Sequence, residues 1–106
     1  ADCGFAVCEV HTGPWSRAFQ ACGHQVDRPE AAAELARVAQ TGQLITEAGM
    51  RFNAGHALDY HNVQPIAMLE GLNELHIGHA IVSRSIMTGI QEAVREMVSL
   101  IKTATP

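Results

Sequence analysis

Residues 73–82 of the chain, NELHIGHAIV, change character in the middle. The first half has the short apolar pattern of a buried strand, and the second half begins a helical pattern that continues as HAIVSRSIMTG. Gly78 and His79 stand at the junction. A strand followed directly by a helix is the repeating unit of parallel α/β folds, so this stretch predicts such a fold if similar units occur elsewhere in the chain.

Two similar units precede it. Short strands are predicted at 5–11, FAVCEVH, and at 50–56, MRFNAGH, each next to glycines. Helical patterns follow them at 27–49, DRPEAAAELARVAQTGQLITEAG, and more weakly at 60–69, YHNVQPIAML. The order strand, helix, three times over, predicts parallel strands joined by crossover helices.

The ends of the predicted helices depend on particular residues. Asp27 can cap the long helix, Pro29 lies near its first turn, and Asn62 is the expected cap of the weaker helix. Residues 90–102, IQEAVREMVSLIK, predict a final amphipathic helix. Residues 14–29 contain two prolines and have no clean period, so we predict a loop there, with at most one irregular helical turn.

Size and composition exclude several classes of protein. A chain of 106 residues with 47% apolar content can form one small domain with a modest core. A complete (β/α)₈ barrel takes about 250 residues, so three strands form either a small open sheet or part of something larger. The net charge of −4 provides no basic stripe for nucleic acid.

Membrane insertion and secretion are not expected either. The sequence has no apolar run of about 18 residues, and its first ten residues lack the basic region and long apolar core of a signal peptide. Cys3, Cys8 and Cys22 are an odd number of cysteines without C-x-x-C spacing. We expect reduced thiols in a cytosolic protein.

The carboxyl ends of the three strands are where ligand sites of parallel α/β folds form. Burying the Glu9 carboxylate inside an apolar strand costs free energy. Glu9 is therefore either hydrogen-bonded to a buried neighbour or acts as an acid, a base or a charge stabiliser. His56 either caps a loop or takes part in chemistry. His11 and His76 are single histidines within strands, which are more often packed than catalytic.

The junction at Gly78 and His79 suits an anion. A helix that starts directly after a strand has free backbone N–H groups, and its dipole favours negative charge, most often a phosphate. The alternative is a helix that merely begins there. His11, His56 and His79 could converge on a metal, yet neither H-x-x-x-H nor H-E-x-x-H occurs, so we expect no metal site.

Three motifs together resemble the C-terminal part of the pyridoxine 5′-phosphate synthase family: EVHTG at 9–13, NAGHALDYHNV at 53–63 and LHIGHAIVSRSIMTGIQEAVREM at 75–97. They occur in the family's order and at compatible spacing, and the resemblance runs from about Gly4 to Ile101. Family members form TIM barrels. The resemblance therefore implies an α/β chain that supplies the C-terminal three βα units of a (β/α)₈ barrel, as a single partial domain over residues 1–106.

The resemblance also implies a reaction. The family condenses 1-deoxy-D-xylulose 5-phosphate with 3-amino-2-oxopropyl phosphate to pyridoxine 5′-phosphate, phosphate and water, in vitamin B6 biosynthesis, without metal or organic cofactor. His56 matches the family's proton donor and Glu9 its transition-state stabiliser. Gly78 and His79 match the pair that holds the amino-ketone phosphate. Ala57 occupies a further substrate contact where the family commonly has glycine.

The segment after HTG departs from the family, whose members often place a Tyr-Ala pair there. Trp15 is a candidate to replace that aromatic ring. The family's proton-accepting glutamate and histidine lie on earlier strands, so we expect this chain to be a fragment that does not catalyse the full reaction alone. The alternatives are a non-catalytic phosphate-binding fragment and a structural remnant that associates with other chains.

The resemblance implies phosphorylated small molecules as partners and a homo-oligomer in the full-length form. The net charge and the lack of a long apolar run argue against nucleic acid and membrane as partners, and the cysteines indicate a cytoplasmic location.

Overall fold

Three parallel strands form the centre of the fold. The computed structural model describes residues 4–104, so Cys3 and both ends of the predicted domain lie outside the described part. In chain order the elements are β1 (Val7–His11), α1 (Gly13–Ala21), α2 (Pro29–Glu47), β2 (Arg51–Gly55), α3 (Val63–Ala67), β3 (Leu72–His76), α4 (His79–Thr88) and α5 (Ile90–Thr103).

The sheet has the order β1-β2-β3, and both strand pairs are parallel. The predicted alternation of strands and crossover helices is therefore confirmed. Glu9 lies opposite Asn53, and a register shift at Phe52/Asn53 places Asn53 opposite Glu74 and Gly55 opposite His76. The architecture is α/β and compatible with part of a TIM barrel.

One face of the sheet carries the core. Phe52 and Ala54 of β2 are fully buried and pack with apolar side chains of α1, α2 and α3, namely Trp15, Phe19, Ala31, Val38, Ile45 and Ile66. Helix α2 approaches the sheet closely at Gly42, where an added Cβ would overlap the Phe52 ring. The core thus holds α1, α2 and α3 on one side and leaves the other face of the sheet open.

The predicted loop at 14–29 is wrong for its first part. Residues 13–21 form α1, a helix of nine residues with Pro14 in its first turn. Trp15 and Phe19 lie one turn apart and are both buried, and Trp15 Nε1 donates a hydrogen bond to the Asn62 carbonyl at 3.1 Å. Burial of these two rings stabilises a helix that the periodicity of the sequence does not indicate.

The cap expected for α2 is also wrong. Helix α2 begins at Pro29 after Arg28, and neither Asp27 nor any other side chain caps it with a hydrogen bond. Asn62 is the N-cap residue of α3, as predicted, but its side chain makes no capping hydrogen bond and instead donates to the Ala57 carbonyl at 3.1 Å. The Asn62 side chain therefore braces the loop after β2.

Among residues 4–104, Cys8 and Cys22 are free thiols. In the same range no helix has the length and apolar character that crossing a membrane requires.

Candidate active site

An open cleft of about 870 Å³ lies at the carboxyl ends of the strands. The loop after β2, the end of β3 and the start of α4 form its walls. All of the site residues that the sequence singled out line this one cleft: Glu9, His56, Ala57, Gly78 and His79. Parallel strands bring their carboxyl ends to one edge, which is why residues far apart in sequence meet there.

Glu9 is not buried among apolar neighbours, since 42% of its side chain is exposed. Its Oε1 atom lies 3.9 Å from Nε2 of His76, and that nitrogen is 3.1 Å from Nδ2 of Asn53. At Gly55, on the strand between them, an added Cβ would lie 2.5 Å from Glu9 Oε1 and 2.9 Å from the His76 Cβ. The glycine of NAGH thus leaves room for Glu9 and His76 to approach each other.

Asn53 adds an acceptor to this group. The residue is 4% exposed, and its Oδ1 atom has no hydrogen-bond partner within the described part of the chain. A buried carbonyl oxygen without a donor costs free energy. Its side chain lies on the same face of the sheet as Glu9 and His76.

His56 and Ala57 both have positive φ angles, 92° and 58°, which residues other than glycine rarely adopt. The buried Thr12 holds this turn: its Oγ1 lies 2.8 Å from the Gly55 carbonyl oxygen and 2.7 Å from that of His56. Such strain is typical of functional sites, where surrounding structure maintains it. The φ of Ala57 also explains why glycine suits this position.

The imidazole rings of His11 and His56 stack, with centroids 4.0 Å apart and planes inclined by 23°. His11 and His76 are both exposed, so the prediction that these strand histidines are packed in the interior is wrong. They sit on the open face of the sheet because the face that packs against the helices is formed by the alternate positions, such as Val10 and Leu75.

The start of α4 opens into the cleft. Gly78 precedes the helix, no side chain caps it, and both Gly78 and His79 are exposed. The φ of Gly78 is −131°, and an added Cβ there would meet no atom within 4 Å. Internal packing therefore does not require this glycine. The free N–H groups of the first helical turn remain available to an anion.

Outside the cleft, Tyr60 ties the loop after β2 to α5 by donating a hydrogen bond to the Ala93 carbonyl at 2.7 Å. Partial burial raises the pKa of the Tyr60 phenol, the Arg84 guanidinium above its ring acts in the opposite direction, and Glu96 raises the pKa further. The phenol therefore keeps its proton and its hydrogen bond at neutral pH. Tyr60 helps to fix one wall of the site.

Within residues 4–104, no three His, Cys, Asp or Glu side chains are grouped closely enough to hold a metal ion. Trp15, the candidate to replace the family's aromatic ring, is fully buried in the core and does not line the cleft. The structure adds Thr12 and Asn53, which the sequence did not single out, and His76, which the sequence predicted to be packed. Each lies in or beside a motif that was singled out, but spacing alone does not indicate their contacts.

Comparison with known proteins agrees with the motifs. A family model described as "Pyridoxal phosphate biosynthesis protein PdxJ" matches residues 1–103. Proteins named pyridoxine 5′-phosphate synthase are similar to the chain: 55% identity over 98% of it for Dechloromonas aromatica, 55% over 98% for an Azoarcus species, and 48% over 92% for Rhodopirellula baltica. The chain covers 41%, 42% and 36% of these relatives, or about two fifths of their length. It belongs to the PdxJ family of pyridoxal phosphate biosynthesis proteins.

Proposed function

We propose that this chain forms the C-terminal three βα units of a TIM barrel with pyridoxine 5′-phosphate synthase activity. The barrel would condense 1-deoxy-D-xylulose 5-phosphate with 3-amino-2-oxopropyl phosphate, without metal or organic cofactor. The observation that carries the proposal is the single cleft that Glu9, His56 and the first turn of α4 share. The similarity to relatives that bear this enzyme's name supports the same reaction.

Each group in the cleft suits one demand of the reaction. Two phosphorylated substrates need anion sites, and the uncapped start of α4 at Gly78 and His79 offers one. Imine formation, dehydration and ring closure require repeated proton transfers, for which imidazole is suited near neutral pH, so His56 is assigned as proton donor. Glu9 would stabilise positive charge that develops on an iminium nitrogen. Ala57 would contact substrate beside His56.

The proposal extends to the whole protein. The proton acceptors and the ligands of the second phosphorylated substrate would come from strands that precede this segment. The complete enzyme would act in the cytoplasm as a homo-oligomer.

The test is His56→Asn in the complete enzyme. We expect turnover to fall by about 10²–10⁴-fold, as for loss of a positioned acid–base group, while substrate binding changes less. Asparagine tolerates positive φ, so the turn at 55–57 should keep its conformation.

The matched control is His24→Asn. His24 is also an exposed histidine with positive φ, 63°, but it does not line the cleft. This variant should retain normal turnover. Near-wild-type turnover of His56→Asn would remove His56 from the mechanism.

A further inference from the structure

We propose that His11 is a positioning residue for His56, whose imidazole it holds by ring stacking. This inference rests on the proposed role of His56 as proton donor. His11 does not line the cleft itself. Its ring instead lies against the His56 ring, 4.0 Å away between centroids and nearly parallel to it.

His56 needs such support. The side chain is exposed, and the backbone φ of 92° lies outside the regions that residues other than glycine normally occupy. The hydrogen bonds of Thr12 fix the carbonyls of this turn, but they do not fix the rotation of the imidazole. A flat ring stacked on a flat ring restricts that rotation. An error of about 1 Å in the position of a catalytic group can cost about 100-fold in rate, so the restriction matters.

The His11 ring is itself held in place. The backbone N–H of Gly13 donates a hydrogen bond to His11 Nδ1 at 3.1 Å. In neutral His11 this bond places the ring proton on Nε2. An added Cβ at Gly13 would overlap the His11 ring, which makes glycine necessary there.

The three residues of the HTG motif therefore act on one target. Thr12 fixes the backbone of His56, His11 fixes its ring, and Gly13 fixes the ring of His11. Because His11 is exposed, it adds little to the core, and its stacking contact is more consistent with positioning than with folding.

Two substitutions in the complete enzyme separate the ring from its hydrogen bond. His11→Asn keeps an acceptor near the Nδ1 position but has no ring to stack. His11→Phe keeps a flat ring but cannot accept from Gly13. We expect His11→Asn to lower kcat by about 10–100-fold with a smaller change in KM, and His11→Phe to retain most of kcat.

Two readouts exclude a merely structural effect. In NMR spectra of histidine-labelled enzyme, the His56 ring protons should lose an upfield ring-current shift in His11→Asn and keep it in His11→Phe. In a double-mutant cycle, His11→Asn should cost almost nothing further once His56 is Asn, because the positioned ring is already absent.

Normal kcat in His11→Asn, an equal loss in both variants, or full additivity with His56→Asn would each overturn the inference. Failure of the proposed role of His56 as proton donor would give a different result. If that role is wrong, His56→Asn retains turnover although the His56 ring-current shift is present in the wild type.

Discussion

Glu9 Oε1 lies 3.9 Å from His76 Nε2, across the glycine of the strand between them. Both side chains are about half exposed, 42% for Glu9 and 50% for His76. Ion pairs with this exposure contribute about 0–1 kcal/mol to stability. The arrangement therefore has little value for folding, whereas a carboxylate on the wall of the cleft is well placed to act on a bound molecule.

Glu9→Gln in the complete enzyme should separate these two roles. We expect kcat to fall by about 10²–10³-fold, because the neutral amide no longer stabilises developing positive charge, while the free energy of unfolding changes by less than about 1 kcal/mol. Steady-state kinetics and thermal denaturation measure the two effects. Glutamine has the same size, so the space above Gly55 stays filled.

Glu92→Gln is the matched control. Glu92 on α5 has a similarly exposed side chain, 45%, and its carboxylate lies 2.9 Å from Arg95, outside the cleft. Its removal should have an equally small effect on stability and none on turnover. A normal kcat in Glu9→Gln, or a loss explained by unfolding, would contradict the role of Glu9.

The apolar surface of α4 and α5 leads to a second prediction. Ile86 and Met87 are 82% and 84% exposed, and Ile90 at the start of α5 is 58% exposed. Exposed apolar side chains that lie together favour association. We therefore expect a protein consisting of residues 1–106 alone to self-associate in light scattering and to unfold without a sharp transition.

The double substitution Ile86→Glu and Met87→Glu should reduce the association. Gln91→Glu, at an exposed polar position of α5, adds charge without removing apolar surface and should reduce it much less. A monomer with a sharp, cooperative thermal transition from the unmodified chain would show that this surface is tolerated in water.

The three strands and the helices α2, α4 and α5 were predictable because glycines and repeated apolar positions mark them. Helix α1 was not, because only Trp15 and Phe19 carry its buried face and Pro14 resembles a helix breaker. In fact proline is well tolerated in a first turn. Tertiary burial of two aromatic rings decides that segment.

The location of the site was predictable, whereas its internal contacts were not. Parallel topology alone brings the ends of β1, β2 and β3 together. The meeting of Glu9 with His76 depends further on the register shift at Phe52/Asn53, which places Gly55 opposite His76. The stack of His11 on His56 depends on side-chain rotation about a backbone with positive φ. Neither property is encoded in a local pattern of residue types.

The start of α4 gives the last prediction. At Gly78 the φ of −131° lies outside the left-handed region that favours glycine, and an added Cβ would meet nothing within 4 Å. Gly78→Val in the complete enzyme should therefore fold normally, with little change in melting temperature. The branched side chain would nevertheless occupy the space in front of the first-turn N–H groups. We expect KM for the amino-ketone phosphate to rise far more than stability falls.

Inorganic phosphate provides a readout that does not depend on turnover. A ligand that binds only the folded protein raises its melting temperature as its concentration exceeds Kd. Phosphate should protect the wild type from heat and fail to protect Gly78→Val. Ser83→Val, a valine at an exposed position further along the same helix, should be protected like the wild type. Equal protection of Gly78→Val and the wild type would mean that the anion binds elsewhere, and unfolding of the variant would mean that Gly78 serves packing.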